Sequence, residues 1–103
     1  MEIAVVKQLC DNGAIRWTDH AIERILKRGI SREDVKQIII KGEIIEDYPE
    51  DYPYHSCLMF GESNNGNPLH VVCGFGNGEL WIVTAYFPDL EKWNRDYKTR
   101  RKL

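Results

Sequence analysis

The stretch "WTDHAIERILKRGISREDV", residues 17–35, decides the first half of the fold because it holds start and stop signals for two helices. Thr18 can cap a helix N-terminus, and Gly29 suits the left-handed backbone that follows a last helical turn. Ser31 then opens a second helix as a Ser-x-x-acid capping box with Asp34. The stretch therefore predicts two helices joined by a tight turn at Gly29.

Apolar positions at a period of 3.6 residues predict which side of each helix is buried. These predicted stripes are Ile22, Ile25 and Leu26 in the first helix, and Val35, Ile38 and Ile39 in the second. Upstream, apolar residues at helical spacing predict a further short helix over residues 3–10.

Beyond Gly42 the periodicity becomes that of strands. The segments "EIIEDY", "HSCLMF", "LHVVCGF" and "ELWIVTAY" are rich in β-branched and aromatic residues. Their short connections predict antiparallel neighbours, and the spacing of Leu90, Trp93 and Tyr97 predicts a short C-terminal helix. The predicted fold is α+β: N-terminal helices packed on one face of a four-stranded antiparallel sheet, in a single domain of residues 1–103.

Two registers are open for the last hairpin. A two-residue loop at Asn77-Gly78, which turn chemistry favours, puts His70 opposite Ala85 and on the face away from Tyr86. A three-residue loop that starts one residue earlier pairs His70 with Thr84 and places it on the same face as Tyr86. We predict the first register, and with it a purely structural His70.

Three potential cations follow one another at four-residue spacing in the first predicted helix of the hairpin: His20, Arg24 and Arg28. This spacing places them on one face. A neutral histidine can act as a general base, and arginines can hold a phosphate. We predict His20, Arg24 and Arg28 as catalytic residues, with Tyr86 at the end of the last strand as the acid. The plainer alternative is a solvated basic face.

Charges are segregated along the chain. Residues 43–51 contain five acids and no base, whereas residues 92–102 contain six bases and one acid. The whole chain has 14 basic and 16 acidic residues, a balance that does not by itself indicate nucleic-acid binding. A local basic surface can still form, and its alternative is a solvated tail. The predicted RNA-binding residues are Lys27, Arg95, Lys98, Arg100 and Arg101.

The three cysteines are far apart and form no Cys-x-x-Cys pair. This pattern indicates neither a disulfide framework nor a zinc site, and it suits a reducing cytoplasm. We therefore expect no metal and no cofactor. No apolar run approaches the roughly 18 residues that a membrane span needs, so we expect a cytoplasmic protein with no membrane partner.

Four segments resemble a family of small bacterial and archaeal proteins labelled domain of unknown function 4258. They are "WTDHAIERILKRGIS", "KGEIIEDYPEDYPYHSCLMFG", "PLHVV" and "VTAYFPDLEKWNRDYKTRR". The residues that carry the resemblance are His20, Arg24, Arg28, Thr84, Tyr86, Pro88, Trp93 and Arg100. The resemblance implies a fold similar to the RelE, MqsR and BrnT toxins.

The same resemblance implies a toxin of a two-gene toxin–antitoxin pair, neutralised by a zinc-finger antitoxin of the MqsA type. The implied activity is metal-independent cleavage of mRNA, either free or on a ribosome. The alternative is a non-enzymatic protein of this fold that binds a partner protein or nucleic acid. The catalytic positions named above are inferred from chemistry and are not transferred from the family.

Overall fold

Three helices form the first part of the chain, and the second and third begin at the predicted caps Thr18 and Ser31. The structure, a computed structural model, describes residues 3–11 and 13–102. Its helices are α1 (Ile3–Asp11), α2 (Asp19–Lys27) and α3 (Arg32–Lys41). Thr18 accepts a hydrogen bond from the amide of Ala21, and Ser31 forms the complete capping box with Asp34. The predicted pair of helices is therefore confirmed.

Five strands form one mixed sheet in the order β1-β5-β4-β3-β2. They are β1 (Ile15–Trp17), β2 (Glu43–Tyr48), β3 (His55–Glu62), β4 (Pro68–Gly76) and β5 (Glu79–Tyr86). Neighbours among β2 to β5 are antiparallel, but β1 lies parallel to β5, with Ile15 opposite Leu80.

The predicted four-stranded antiparallel sheet, and the RelE-like arrangement built on it, are therefore wrong. The segment that was missed, β1, has only three residues. Such a strand is too short to show the alternation by which strands are recognised. Its parallel partner, β5, also lies far along the chain, so no turn sequence between the two strands indicates that they pair.

The three helices cover one face of the sheet and enclose the apolar core with it. Among the described residues, none of the helices is long and apolar enough to cross a membrane. The buried side chains of this core include Val6, Ala21, Ile25, Val35, Ile38, Ile39, Met59, Leu69, Val71, Leu80, Ile82 and Ala85.

The buried side of α2 is rotated relative to the prediction. Leu26 is 72% exposed, and Ala21 and Ile25 are the buried residues of α2. Positions 21, 25 and 28 share one side of a helix, so this rotation turns Arg28 toward the end of β5. The predicted buried stripe of α3 is confirmed.

The β4–β5 hairpin has the predicted turn but not the predicted partner for His70. Asn77 and Gly78 form the two-residue loop with φ values of 55° and 73°, as a type I′ turn requires. A bulge at Val83 then adds one residue to β5, so His70 pairs with Tyr86 instead of Ala85. The prediction that His70 faces away from Tyr86 is wrong, although the turn that led to it is right.

Residues 87–102, here called the C-terminal segment, contain no helix. The amide of Trp93 donates to the Asp89 carbonyl, and Trp93 pairs with Arg100 through an isolated bridge. The carboxylates of Asp89 and Asp96 accept hydrogen bonds from amides close by, which stabilises turns instead of a helix. The predicted C-terminal helix is therefore wrong.

The C-terminal segment covers the part of the open sheet face around His70 and Phe60. Trp93 is only 3% exposed and lies edge-on against the ring of His70, with 4.5 Å between the ring centroids. Tyr97 stacks on Phe60 of β3. His70 is thus buried between the sheet and this segment, on the face opposite the apolar core.

We predict that Gly42→Ala lowers the free energy of unfolding by about 1–3 kcal/mol, as overpacking does. A Cβ at Gly42 would lie 2.6 Å from the carbonyl oxygen of Phe60 and would also collide with that of Ile38. Both atoms belong to backbone held by regular structure. Thermal or urea unfolding measures the effect.

Gly74→Ala is the matched control, because a Cβ there meets its nearest neighbour at an ordinary 3.6 Å. We expect its stability to lie within about 0.5 kcal/mol of the wild type. Equal stabilities for the two variants would contradict the tight approach of α3 to β3 at Gly42.

Candidate functional site

A pocket of about 350 Å³ opens where the end of α2, the end of β5 and the C-terminal segment meet. Three of its lining side chains are cationic and one is a carboxylate. The lining residues are Arg28, Tyr86, Phe87, Asp89, Lys92, Trp93 and Arg100. We call it the Tyr86 pocket. Its excess of positive charge suits an anionic ligand.

A histidine with both ring nitrogens engaged lies behind the Tyr86 pocket. His70 is completely buried, and its Nε2 lies 2.6 Å from the backbone carbonyl oxygen of Tyr97. A carbonyl only accepts, so Nε2 carries the proton in the neutral ring and Nδ1 is the acceptor. Nδ1 lies 3.3 Å from Tyr86 Oη, and the hydroxyl therefore donates to it.

The protonation states of this pair follow from its burial. Burial lowers the pKa of His70, and the Tyr97 carbonyl and the nearby Glu46 offset this only in part. Burial also raises the pKa of Tyr86. At neutral pH the imidazole is therefore unprotonated and the phenol is protonated. The pair holds one basic nitrogen behind a neutral hydroxyl.

Arg100 is held at the wall of the pocket by Glu46 of β2. Its Nε and Nη2 donate to the two carboxylate oxygens at 2.9 and 3.0 Å. Burial raises the pKa of Glu46, but the hydrogen bonds from Arg100 and Tyr48 outweigh it and lower that pKa overall. The side chain of Arg100 remains 58% exposed, which leaves it able to contact a ligand as well.

Arg28 reaches the same pocket from the end of α2. Its Nη1 donates to the Ala85 carbonyl at 2.8 Å and to Thr84 Oγ1 at 3.2 Å. These two bonds use one of the three guanidinium nitrogens, so further N–H donors remain for a ligand. The bonds fix the side chain beside Tyr86.

A family model described as a domain of unknown function, DUF4258, matches residues 17–87, more than half of the chain. The chain belongs to the DUF4258 family. Comparison with curated proteins gives no match. The matched span includes Arg28, His70 and Tyr86, whereas residues 88–102 lie beyond it. The family predicted from the sequence is thus confirmed, and its description assigns no activity.

In this DUF4258 protein, the structure brings together three of the predicted site residues: Arg28, Tyr86 and Arg100. The other predicted residues of α2 are His20, Arg24 and Lys27, which are exposed and do not line the Tyr86 pocket. Within residues 3–11 and 13–102, their side chains form no hydrogen bond or ion pair. Their predicted roles in catalysis and RNA binding remain predictions.

The remaining predicted RNA-binding residues lie in the C-terminal segment but at different places. Lys98 forms an ion pair with Glu43 at 2.6 Å, next to the β2 edge of the sheet. Arg95 and Arg101 line a second pocket of about 410 Å³, of which Trp93 is also a lining residue.

Sequence reasoning gave His70 an acid–base role only in the hairpin register that we did not choose, and it gave no site role to Glu46 or Lys92. The bulge at Val83, which brings His70 beside Tyr86, has no signal in the strand pattern. Glu46 could have been suggested by the acidic stretch that contains it, because a basic stretch of similar size lies elsewhere in the chain. Only the fold, however, shows that Arg100 is its partner.

We predict that the wild type loses stability as the pH falls below about 6.5, partly because of His70. Folding lowers the pKa of His70, so between its unfolded and folded pKa values the unfolded chain binds a proton that the folded chain does not. His70→Gln should therefore show a weaker loss of stability over this window. Urea unfolding at a series of pH values measures the slopes.

His20→Asn, at an exposed position, is the control and should keep the wild-type dependence on pH. If the free energy of unfolding falls with pH equally steeply in the wild type and in His70→Gln, the buried imidazole is not the group that causes the loss of stability.

Proposed function

We propose that this protein is an endoribonuclease that binds an RNA phosphodiester in the Tyr86 pocket. The observation that carries the proposal is a tyrosine hydroxyl that lies in a cationic pocket and donates to a buried, neutral histidine. Cleavage of RNA through its own 2′-hydroxyl needs a base and cations near the phosphate. The pocket supplies the cations, and the base is His70, which lies behind the pocket and is reached through Tyr86.

The cations of the pocket are suited to hold the phosphate and to stabilise the charge that develops on it. Arg28 and Arg100 are each anchored to the protein through only part of their donor set. Their positions are thus fixed before a ligand binds, which lowers the ordering cost of binding. Asp89 lies on the same lining and limits the excess of positive charge.

In the proposed reaction, Tyr86 relays a proton to His70. The RNA 2′-hydroxyl gives its proton to Tyr86 Oη while the Tyr86 proton passes to His70 Nδ1. The 2′-oxygen bonds to phosphorus, the bond from phosphorus to the 5′-oxygen breaks, and the departing oxygen takes a proton from Lys92. The products are a 2′,3′-cyclic phosphate and a 5′-hydroxyl.

A relay suits this pair better than either residue acting alone. The raised pKa of Tyr86 disfavours a phenolate, but a relay keeps the phenol neutral throughout. The imidazolium formed on His70 has the Tyr97 carbonyl at Nε2 and the Glu46 carboxylate nearby. The base of this proposal is therefore His70 acting through Tyr86, and not the exposed His20 of the sequence prediction.

We further propose that the biological substrate is mRNA and that an antitoxin protein covers the pocket. Two large apolar side chains are exposed here: Phe87, which lines the Tyr86 pocket, is 43% exposed, and Leu90, which lines the neighbouring pocket, is 45% exposed. A partner segment with apolar and acidic side chains would cover both these residues and the cations. This surface also supports the second candidate, a non-enzymatic protein that only binds such a partner.

We predict that Tyr86→Phe lowers the rate of RNA cleavage by about 10²–10⁴-fold while RNA binding changes little. The substitution removes the relaying hydroxyl and keeps the ring. Single-turnover cleavage of a labelled RNA, with a fully 2′-deoxy strand as the uncleavable reference, measures this. Tyr54→Phe is the control, because the Tyr54 hydroxyl bonds Asn77 at the turn of the β4–β5 hairpin.

Cleavage by Tyr86→Phe at the wild-type rate would overturn the relay. RNA left intact by the purified wild type would favour the binding-only candidate.

We predict that expression of the wild type arrests bacterial growth and that Arg28→Gln abolishes the arrest. Lys36→Gln, an exposed change on α3, should still arrest growth. Arg24→Gln tests the sequence prediction. If it abolishes the growth arrest as fully as Arg28→Gln does, the site lies on the outer side of α2. Normal growth with abundant soluble wild-type protein would refute the toxin function.

A further inference from the structure

Trp93 lines two cationic pockets in this protein. One is the Tyr86 pocket, and the other is the second pocket, of about 410 Å³. The second pocket is lined by Leu90, Trp93, Asn94, Arg95 and Arg101, and thus by two guanidinium groups and no carboxylate.

Backbone geometry explains why one segment supplies cations to both pockets. Arg100 pairs with Trp93 in an isolated antiparallel bridge, so the chain is extended there. Consecutive side chains of an extended chain point to opposite sides, and their Cα atoms are about 3.8 Å apart. Arg100 accordingly lines the Tyr86 pocket, and Arg101 lines the second pocket.

The second pocket is partly built before any ligand binds. The Arg101 amide donates to the Lys92 carbonyl at 2.9 Å, and its Nη1 donates to the Leu90 carbonyl at 3.1 Å. Arg95 forms no side-chain hydrogen bond or ion pair within the described residues. The pocket therefore has one fixed and one adaptable guanidinium group, both without a carboxylate partner there.

We infer that the second pocket binds the phosphate next to the scissile one in the same RNA strand. This inference rests on the proposed function, because it needs the scissile phosphate in the Tyr86 pocket. Two phosphates joined through one nucleotide would lie one in each pocket, each facing arginine. The substrate class is then single-stranded RNA with at least two internucleotide phosphates.

Recognition at this position is of the backbone and not of a base. Trp93 is almost completely buried, and its ring is covered by Arg100, whose guanidinium carbon lies 4.6 Å from the ring centroid, and by His70. A ring covered in this way offers no free face on which a base could stack. The second pocket therefore adds affinity without adding base preference.

The test compares two uncleavable ligands that lack terminal phosphates. One is a 2′-O-methyl dinucleotide with one phosphate, and the other is a 2′-O-methyl trinucleotide with two. In the wild type, the trinucleotide should bind more tightly, with a salt dependence steeper by about 0.7 in log K against log salt. In Arg95→Gln/Arg101→Gln, this extra slope and the tighter binding should disappear, while dinucleotide binding stays unchanged.

The matched control is Arg32→Gln/Lys36→Gln, which removes the same charge from α3 and should keep the advantage of the trinucleotide. Thermal melting checks that the variants fold. Arg95→Gln alone breaks no described hydrogen bond, and it should also weaken trinucleotide binding. Two outcomes would overturn the second phosphate site alone. One is that Arg95→Gln/Arg101→Gln still binds the trinucleotide more tightly than the dinucleotide, and the other is that the control loses this difference equally. A wild type that binds neither ligand would overturn the proposed function as well.

Discussion

The hydrogen bond from His70 to the Tyr97 carbonyl is the interaction on which the rest of the site depends. It joins the middle of the sheet to a segment that has no regular structure of its own. The same bond fixes the tautomer of the imidazole and thereby makes Nδ1 an acceptor for Tyr86. The fold and the proposed chemistry therefore share one buried side chain.

The charge segregation seen in the sequence has a structural meaning that its composition does not reveal. Part of the basic stretch is neutralised by the acidic stretch, through Arg100 with Glu46 and Lys98 with Glu43. These pairs attach the C-terminal segment to β2, and they contribute modestly to stability because they are partly exposed. The positive charge left for a ligand is thus smaller than a count of basic residues suggests, and it is concentrated in the two pockets that Trp93 lines.

Features encoded within a few neighbouring residues could be predicted from the sequence. Examples are the Thr18 and Ser31 caps and the Asn77-Gly78 turn, since each depends on local hydrogen bonds or backbone conformation. The missed strand and the partner of His70 depend on distant residues, whereas the C-terminal helix failed partly through local hydrogen bonds to Asp89 and Asp96. The strand β1 exists only because β5 lies beside it.

The candidate site shows the same division. Arg28 and Tyr86 could be selected as reactive types at the ends of elements, but their meeting in one pocket depends on the rotation of α2 and on the Val83 bulge.

The C-terminal segment had helical spacing. Its aspartates and its packing on His70 nevertheless favoured turns over a helix.

The family match ends at residue 87, and the C-terminal segment begins there. One wall of the Tyr86 pocket, and every lining residue of the second pocket, consequently belong to a short stretch of chain beyond the matched span. The matched span supplies Arg28 and Tyr86 to the Tyr86 pocket, and the stretch beyond it supplies most of the other cations. A chain with the same sheet and helices could acquire a different ligand by exchanging this stretch, provided that the new one still offered a carbonyl to the buried imidazole.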